Sequence, residues 1–155
     1  MKKVSLLLAA LMLAAAILCS CSGGSKKPLT QVFDDIKSKV ELKDFNEYTS
    51  EKSLERFYGI TSDEFDEYAG GINSTGVNQE EIVMFKAKDS SNAAKIKASL
   101  DKRYESKMAQ NKNYNKEQAA VIEKCKVEQY DLYVTMFVSP EAEKITQIFK
   151  EDLGL

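Results

Sequence analysis

The sequence predicts an α+β fold: N-terminal helices, then a β-α-β-β-α segment built on a three-stranded antiparallel sheet. Three observations point there. Apolar residues recur every three or four positions from Leu29 to Val40 and from Ala93 to Met108, the period of one helix face. Ile82 to Lys88 and Leu132 to Val138 are short runs rich in β-branched and aromatic residues, as strands are. A length of 155 residues with 43% apolar content suits a single folded unit.

The first residues read as an export segment. Lys2 and Lys3 precede an apolar run, Val4 to Leu18, broken only by Ser5, which is the layout of a secretory signal peptide. The run is too short for a membrane span, which needs about 20 apolar residues. It ends in Leu18-Cys19-Ser20-Cys21, which looks like the lipobox of bacterial lipoproteins. Cys21 is the expected lipid acceptor, because its sulfur can take a diacylglyceryl group by thioether formation before cleavage in front of it. Cys19 is the rival, but bulky Leu18 would then precede the cut. An ordinary secretory peptide that happens to hold two cysteines is the alternative. Two acyl chains make a stable anchor, at about 0.8 kcal/mol per buried methylene, where one chain holds only marginally.

Three regions are therefore expected: a lipoprotein signal peptide at 1–20, the lipidated Cys21 with a flexible linker at 21–28, and a single globular α+β domain at 29–155. The linker, Ser22 to Pro28, reaches no more than about 25 Å. The expected location is the extracytoplasmic face of the cell membrane, lipid-anchored.

Within the domain, Leu29, Val32, Phe33, Ile36 and Val40 form the apolar face of a first helix. Ser50 to Tyr58 reads as a short helix stopped by Gly59. Thr61-Ser62-Asp63-Glu64 reads as the start of a second helical turn that ends at Gly70-Gly71, its acids in the first turn. Ile82 to Lys88 is the first strand. Ser90, Ser91 and Asn92 are natural caps for a long helix to about Ala109, with Ala93, Ile96, Leu100, Tyr104 and Met108 within about 120° of one another. Val121 to Gln129 and Leu132 to Val138 read as an antiparallel hairpin. The second of these is apolar on both faces, so it is placed at the centre, giving the strand order first, third, second. Ser139 as N-cap and Pro140 at the first position open the last helix, whose buried face is Ala142, Ile145, Phe149 and Leu153.

Several stretches together resemble an uncharacterised family of small lipoproteins, a domain of unknown function, found in Gram-positive anaerobes. They are the lipobox, Tyr58-Gly59-Ile60, the acidic Asp63 to Tyr68, Glu80 to Asp89 ending Lys-Ala-Lys-Asp, the Lys-rich Ala94 to Arg103, and the terminal hairpin and helix in Lys126 to Lys150. The resemblance implies a lipoprotein location and this architecture. It implies no catalytic residue and no ligand.

Chemistry is restricted by what is missing. There is no His, which removes Ser-His and Cys-His catalysis and imidazole metal ligation. Lys plus Arg number 22 against 24 Asp plus Glu, so no nucleic-acid partner is expected. Asp63, Glu64, Asp66 and Glu67 lack the alternate ligands and central Gly of a calcium loop, and no metal or cofactor is expected. Cys125 alternates with Lys124 and Lys126, so its thiol should face inward as a small buried group without an activating base. Ser99 and Lys102 match a Ser-x-x-Lys pattern, but no Lys-Thr-Gly follows. The bases of residues 82–116 do not form one patch: Lys95 and Lys102 point outward, while Lys97 and Lys107 flank the apolar stripe.

The expected function is a membrane-anchored cell-surface lipoprotein whose non-catalytic domain binds or assists at the envelope. Its partners would be the membrane through Cys21 and an envelope protein or wall polymer. The alternative is a carboxylate-dependent envelope hydrolase, which needs two carboxyls about 5 to 9.5 Å apart across a cleft, one with a raised pKa.

Overall fold

The computed structural model describes residues 26–155. Cys21 and the export segment lie outside the described residues. The elements run α1 (Leu29–Lys39), β1 (Phe45–Glu47), α2 (Glu51–Tyr58), β2 (Phe65–Asn73), β3 (Glu81–Ala87), α3 (Ser90–Tyr114), α4 (Lys116–Ile122), β4 (Val127–Tyr130), β5 (Tyr133–Val138) and α5 (Ala142–Leu153). They build three layers: one antiparallel sheet with helices on both faces.

The expected three-stranded sheet is corrected here. The sheet has five strands in the order β1-β2-β3-β5-β4. Its middle strand is β3, and Tyr133–Val138, expected at the centre, lies one place from the edge. The missed strand β2 covers Phe65–Asn73, where a helical turn was expected. The reason is local. Thr61 and Glu64 do make the reciprocal turn that opens many helices, Glu64 N–H to Thr61 O and Thr61 N–H to the Glu64 carboxylate, both at 3.0 Å. Pairing of the following residues with β3 then wins, from Phe65↔Ala87 to Ile72↔Glu81. Val121 to Gln129 is also corrected: its first residues end helix α4, and only Val127–Tyr130 pairs as a strand.

The side-chain alternation of β3 and β5 divides the core in two. Val83, Phe85, Val134 and Met136 face α2, α3 and α4, meeting Leu54, Ile96, Leu100 and Ile122. Ile82, Met84, Tyr133 and Phe137 face α1 and α5, meeting Leu29, Ile36, Ile145 and Phe149. A middle strand apolar on both faces is what a covered sheet needs. Helix ends follow ordinary rules: Gly59 and Gly154 close α2 and α5 in left-handed conformations. Asp89, rather than Ser90 to Asn92, caps α3 by accepting from Asn92 N–H at 2.8 Å. Asn115 ends α3 and caps α4.

The register fixes the two ends of the sandwich. At one end lie the start of α1, Lys86 paired with Tyr133, and the last turn of α5. At the other lie the β2–β3 loop, the α3–α4 junction and Ser139. Helix α3 spans the length, 25 residues or about 37 Å.

Candidate functional site

The densest polar cluster sits where β3 begins, beneath α3. Glu81 pairs in register with Val138, which turns its side chain to the α3 face, where it has no exposed surface. Arg103 and Lys107, one helical turn apart on α3, both reach it. Arg103 donates from Nε to Oε1 at 3.1 Å and from Nη2 to Oε2 at 2.9 Å. Lys107 Nζ lies 2.8 Å from Oε2 and also donates to the Gln79 carbonyl at 3.0 Å. Tyr58 donates to Oε1 at 2.7 Å and in turn accepts from Tyr48 at 2.6 Å. Phe57 lies 5.7 Å from the Arg103 guanidinium, a cation–π contact.

The electrostatics follow from this packing. Burial alone would raise the Glu81 pKa, yet hydrogen bonds and charge from Arg103 and Lys107 outweigh it and hold the carboxyl below its ordinary value. Burial drives Lys107 down; Glu81 opposes the shift without cancelling it, and Arg103 adds to it. Burial, reinforced by the Glu81 charge, pushes both tyrosines up. An ionised carboxylate with all its acceptor positions used and no exposed surface is a structural post, not a general acid. Next to it, Glu80 accepts from Ser139 Oγ at 2.9 Å and Asn78 Nδ2 at 2.8 Å, tying the β2–β3 loop to the start of the last helix.

The buried network itself lines little open surface: Tyr48 borders one cleft, and Asn78 and Glu80 border another. A cleft of about 370 Å³ runs between Val121, Lys124, Pro140 and Glu143. It shares Lys124, Ala142 and Glu143 with a neighbouring cleft of about 240 Å³ that reaches Lys126, Glu128 and Thr146. The two form one trough between edge strand β4 and α5, at the end of the sandwich away from the start of α1. A further cleft of about 420 Å³ lies between α1 and the β1–β2 pair, with Thr30, Asp34, Glu47, Thr49 and Tyr68 on its walls.

Cys125 lies at the bottom of the trough, buried as expected, its Sγ 3.2 Å from Val121 O and 3.6 Å from Ser139 O. Burial raises its pKa, the opposite of what a nucleophilic thiol needs. Asp63, Glu64, Asp66 and Glu67 do not gather at a helix start: the first two make the turn before β2, and Glu67 sits on β2. The Thr61 hydroxyl is the main cause holding the Asp63 pKa below its ordinary value. Glu67 pairs with Lys86 at 3.1 Å and accepts from Leu29 N–H at 2.9 Å, so it caps α1 from the sheet. Among the described residues, no group of three or more His, Cys, Asp or Glu is placed to hold a metal ion. Ser99 is half-buried on α3, Lys95 and Lys102 are exposed, and Lys97 pairs with Asp101 at 2.8 Å. The buried pairing of Lys107 was missed because, in a helix read alone, a lysine beside the apolar stripe looks like a surface residue. The signal was Glu81, an acid directly ahead of Ile82 to Phe85.

No helix among the described residues is long and apolar enough to cross a membrane. The model of a family described as a domain of unknown function, DUF4358, matches residues 38–139, about two-thirds of the chain. The chain belongs to that family. Neither the curated proteins nor the solved structures contain a match to it.

Proposed function

We propose that this member of the DUF4358 family is a lipoprotein of the kind found in Gram-positive anaerobes. It is held at the outer face of the cell membrane by a diacylglyceryl thioether on Cys21, and its folded domain binds an envelope protein or wall polymer without catalysing a reaction. The observation that carries the reading is Leu18-Cys19-Ser20-Cys21, placed directly after the apolar run and five residues before Lys26, where the described body begins. The trough beside β4, with Lys124 and Lys126 against Glu128 and Glu143, offers the mixed charge of a polar recognition surface. The three carboxyls whose pKa moves clearly, Asp35, Asp63 and Glu81, all move down, whereas a glycosidase acid is moved up.

The test is metabolic labelling with a fatty acid in cells producing the wild type or Cys21→Ser. Label in the wild type that disappears in the variant is the expected result. Equal label in both overturns the anchor.

A further inference from the structure

We infer that Lys27 clasps the entering chain against both α1 and α5, so that the anchored domain stands with its Tyr133 and Asp152 end toward the bilayer and its Val77 and Tyr114 end outward. The inference rests on the anchor at Cys21 proposed above. Lys27 Nζ lies 2.7 Å from Asp152 Oδ1 in the last turn of α5 and also pairs with Asp35 on α1. The other Asp152 oxygen, Oδ2, is buried with no hydrogen-bond partner among the described residues, so Lys27 is the one side chain among them that bonds this carboxylate. One residue earlier, the Lys26 ammonium lies 5.2 Å from the centre of the Tyr133 ring. Two residues later, Leu29 N–H is held by Glu67 at 2.9 Å.

The chain is therefore fixed to the sandwich from Lys26 onward, at one end of the sheet. The steps from Cys21 to Lys26 span at most about 17 Å. The sandwich is about 37 Å long, the length of α3, so this tether cannot bring the far end down onto the membrane while the entry end stays up. Lying flat would need an apolar or a strongly basic flank, and along α3 Lys97 is paired with Asp101 and Lys107 is buried against Glu81. The exposed large apolar residues among the described ones are Val77 at the β2–β3 loop, Tyr114 at the α3–α4 junction and Leu155 beside the entry point, and none is on a flank. The trough at Lys124 and Glu143 belongs to the outward end, where an envelope partner can reach it.

The experiment uses the lipidated protein extracted from membranes and reconstituted in phosphatidylcholine vesicles containing a nickel-chelating headgroup lipid. Nitroxide labels are placed singly at Glu151→Cys, near the entry point, and at Val77→Cys, in a Cys125→Ser background. Paramagnetic relaxation at position 151 several-fold stronger than at position 77 is expected, and Lys27→Met, which frees more tether, narrows the contrast. Vesicle-bound protein with equal relaxation at both positions overturns the orientation and leaves the anchor standing. Protein that does not bind vesicles at all overturns both. An unchanged contrast in Lys27→Met removes Lys27 from the account.

Discussion

Tyr58 donates a 2.7 Å hydrogen bond to Glu81, joining the short helix α2 to the first residue of the middle strand β3. The same hydroxyl accepts from Tyr48, so one oxygen links α2 to β3 and to the chain between β1 and α2. Tyr58→Phe should therefore cost about 1 to 3 kcal/mol, because it strips a donor from a buried carboxylate and an acceptor from Tyr48. Tyr48→Phe, which removes only the outer link, should cost less. Urea unfolding of the two variants checks the order, and a larger loss in Tyr48→Phe would contradict it.

Removing the charge at the centre should be worse. Glu81→Gln leaves Arg103 and Lys107 facing a neutral amide and should destabilise by about 3 to 5 kcal/mol. Replacing all three residues by apolar ones of similar size should recover most of that loss, since no uncompensated charge is then buried. Denaturant midpoints of the single and triple variants measure both, and a triple variant as weak as the single one would show that the network does more than balance its own charges.

The pH dependence has a defined sign. The folded-state pKa of Glu81 lies below the ordinary 4.5, so the unfolded chain binds more protons between the two values. The stabilisation is complete above pH 4.5 and is lost as pH falls through the folded value. Asp35 and Asp63 shift in the same direction, so the Glu81 share is the difference between wild type and Glu81→Gln. That difference should shrink on acidification, measured by thermal unfolding across the acid range; a constant difference would contradict the assignment.

Two glycines should respond very differently to alanine. Gly70 has φ +142°, and a Cβ there would lie 2.0 Å from the Ile82 carbonyl oxygen of the neighbouring strand. Gly70→Ala should cost about 3 kcal/mol or more, because strand β2 must move off β3. Gly76, at φ +73° in the β2–β3 loop, has nothing within 4 Å of such a Cβ. Gly76→Ala should cost only the left-handed backbone strain, about 1 to 2 kcal/mol. Similar losses in thermal unfolding would contradict this account of β2.

The same glycines explain what the sequence concealed. Gly70 and Gly71 read as a stop, yet they sit inside β2 because its neighbours approach too closely for side chains: a Cβ on Gly71 would meet the Asn46 carbonyl at 2.3 Å. Helix faces were legible where one apolar stripe meets one core, as at Val32 and Ile36 on α1 or Ile145 and Phe149 on α5. The short strand β1, Phe45–Glu47, has three residues and no period to read. Helix α4 hid because Ala119 to Ile122 has the apolar character of a strand, and only the cap at Asn115 marked it. For the candidate site, Cys125 is buried as expected but not by strand alternation, since it lies between α4 and β4 and is held against Val121 O and Ser139 O. The union of Glu81 with Arg103, Lys107, Tyr58 and Tyr48 depends on long-range pairing that no local pattern carries.

The anchor is tested most directly by mass spectrometry of the N-terminal tryptic peptide of the protein isolated from its native membrane. The account predicts a peptide that starts at Cys21, ends at Lys26 and carries a diacylglyceryl group on the sulfur. A peptide that retains residues before Cys21, or one that starts at Cys21 with a free thiol, would contradict it.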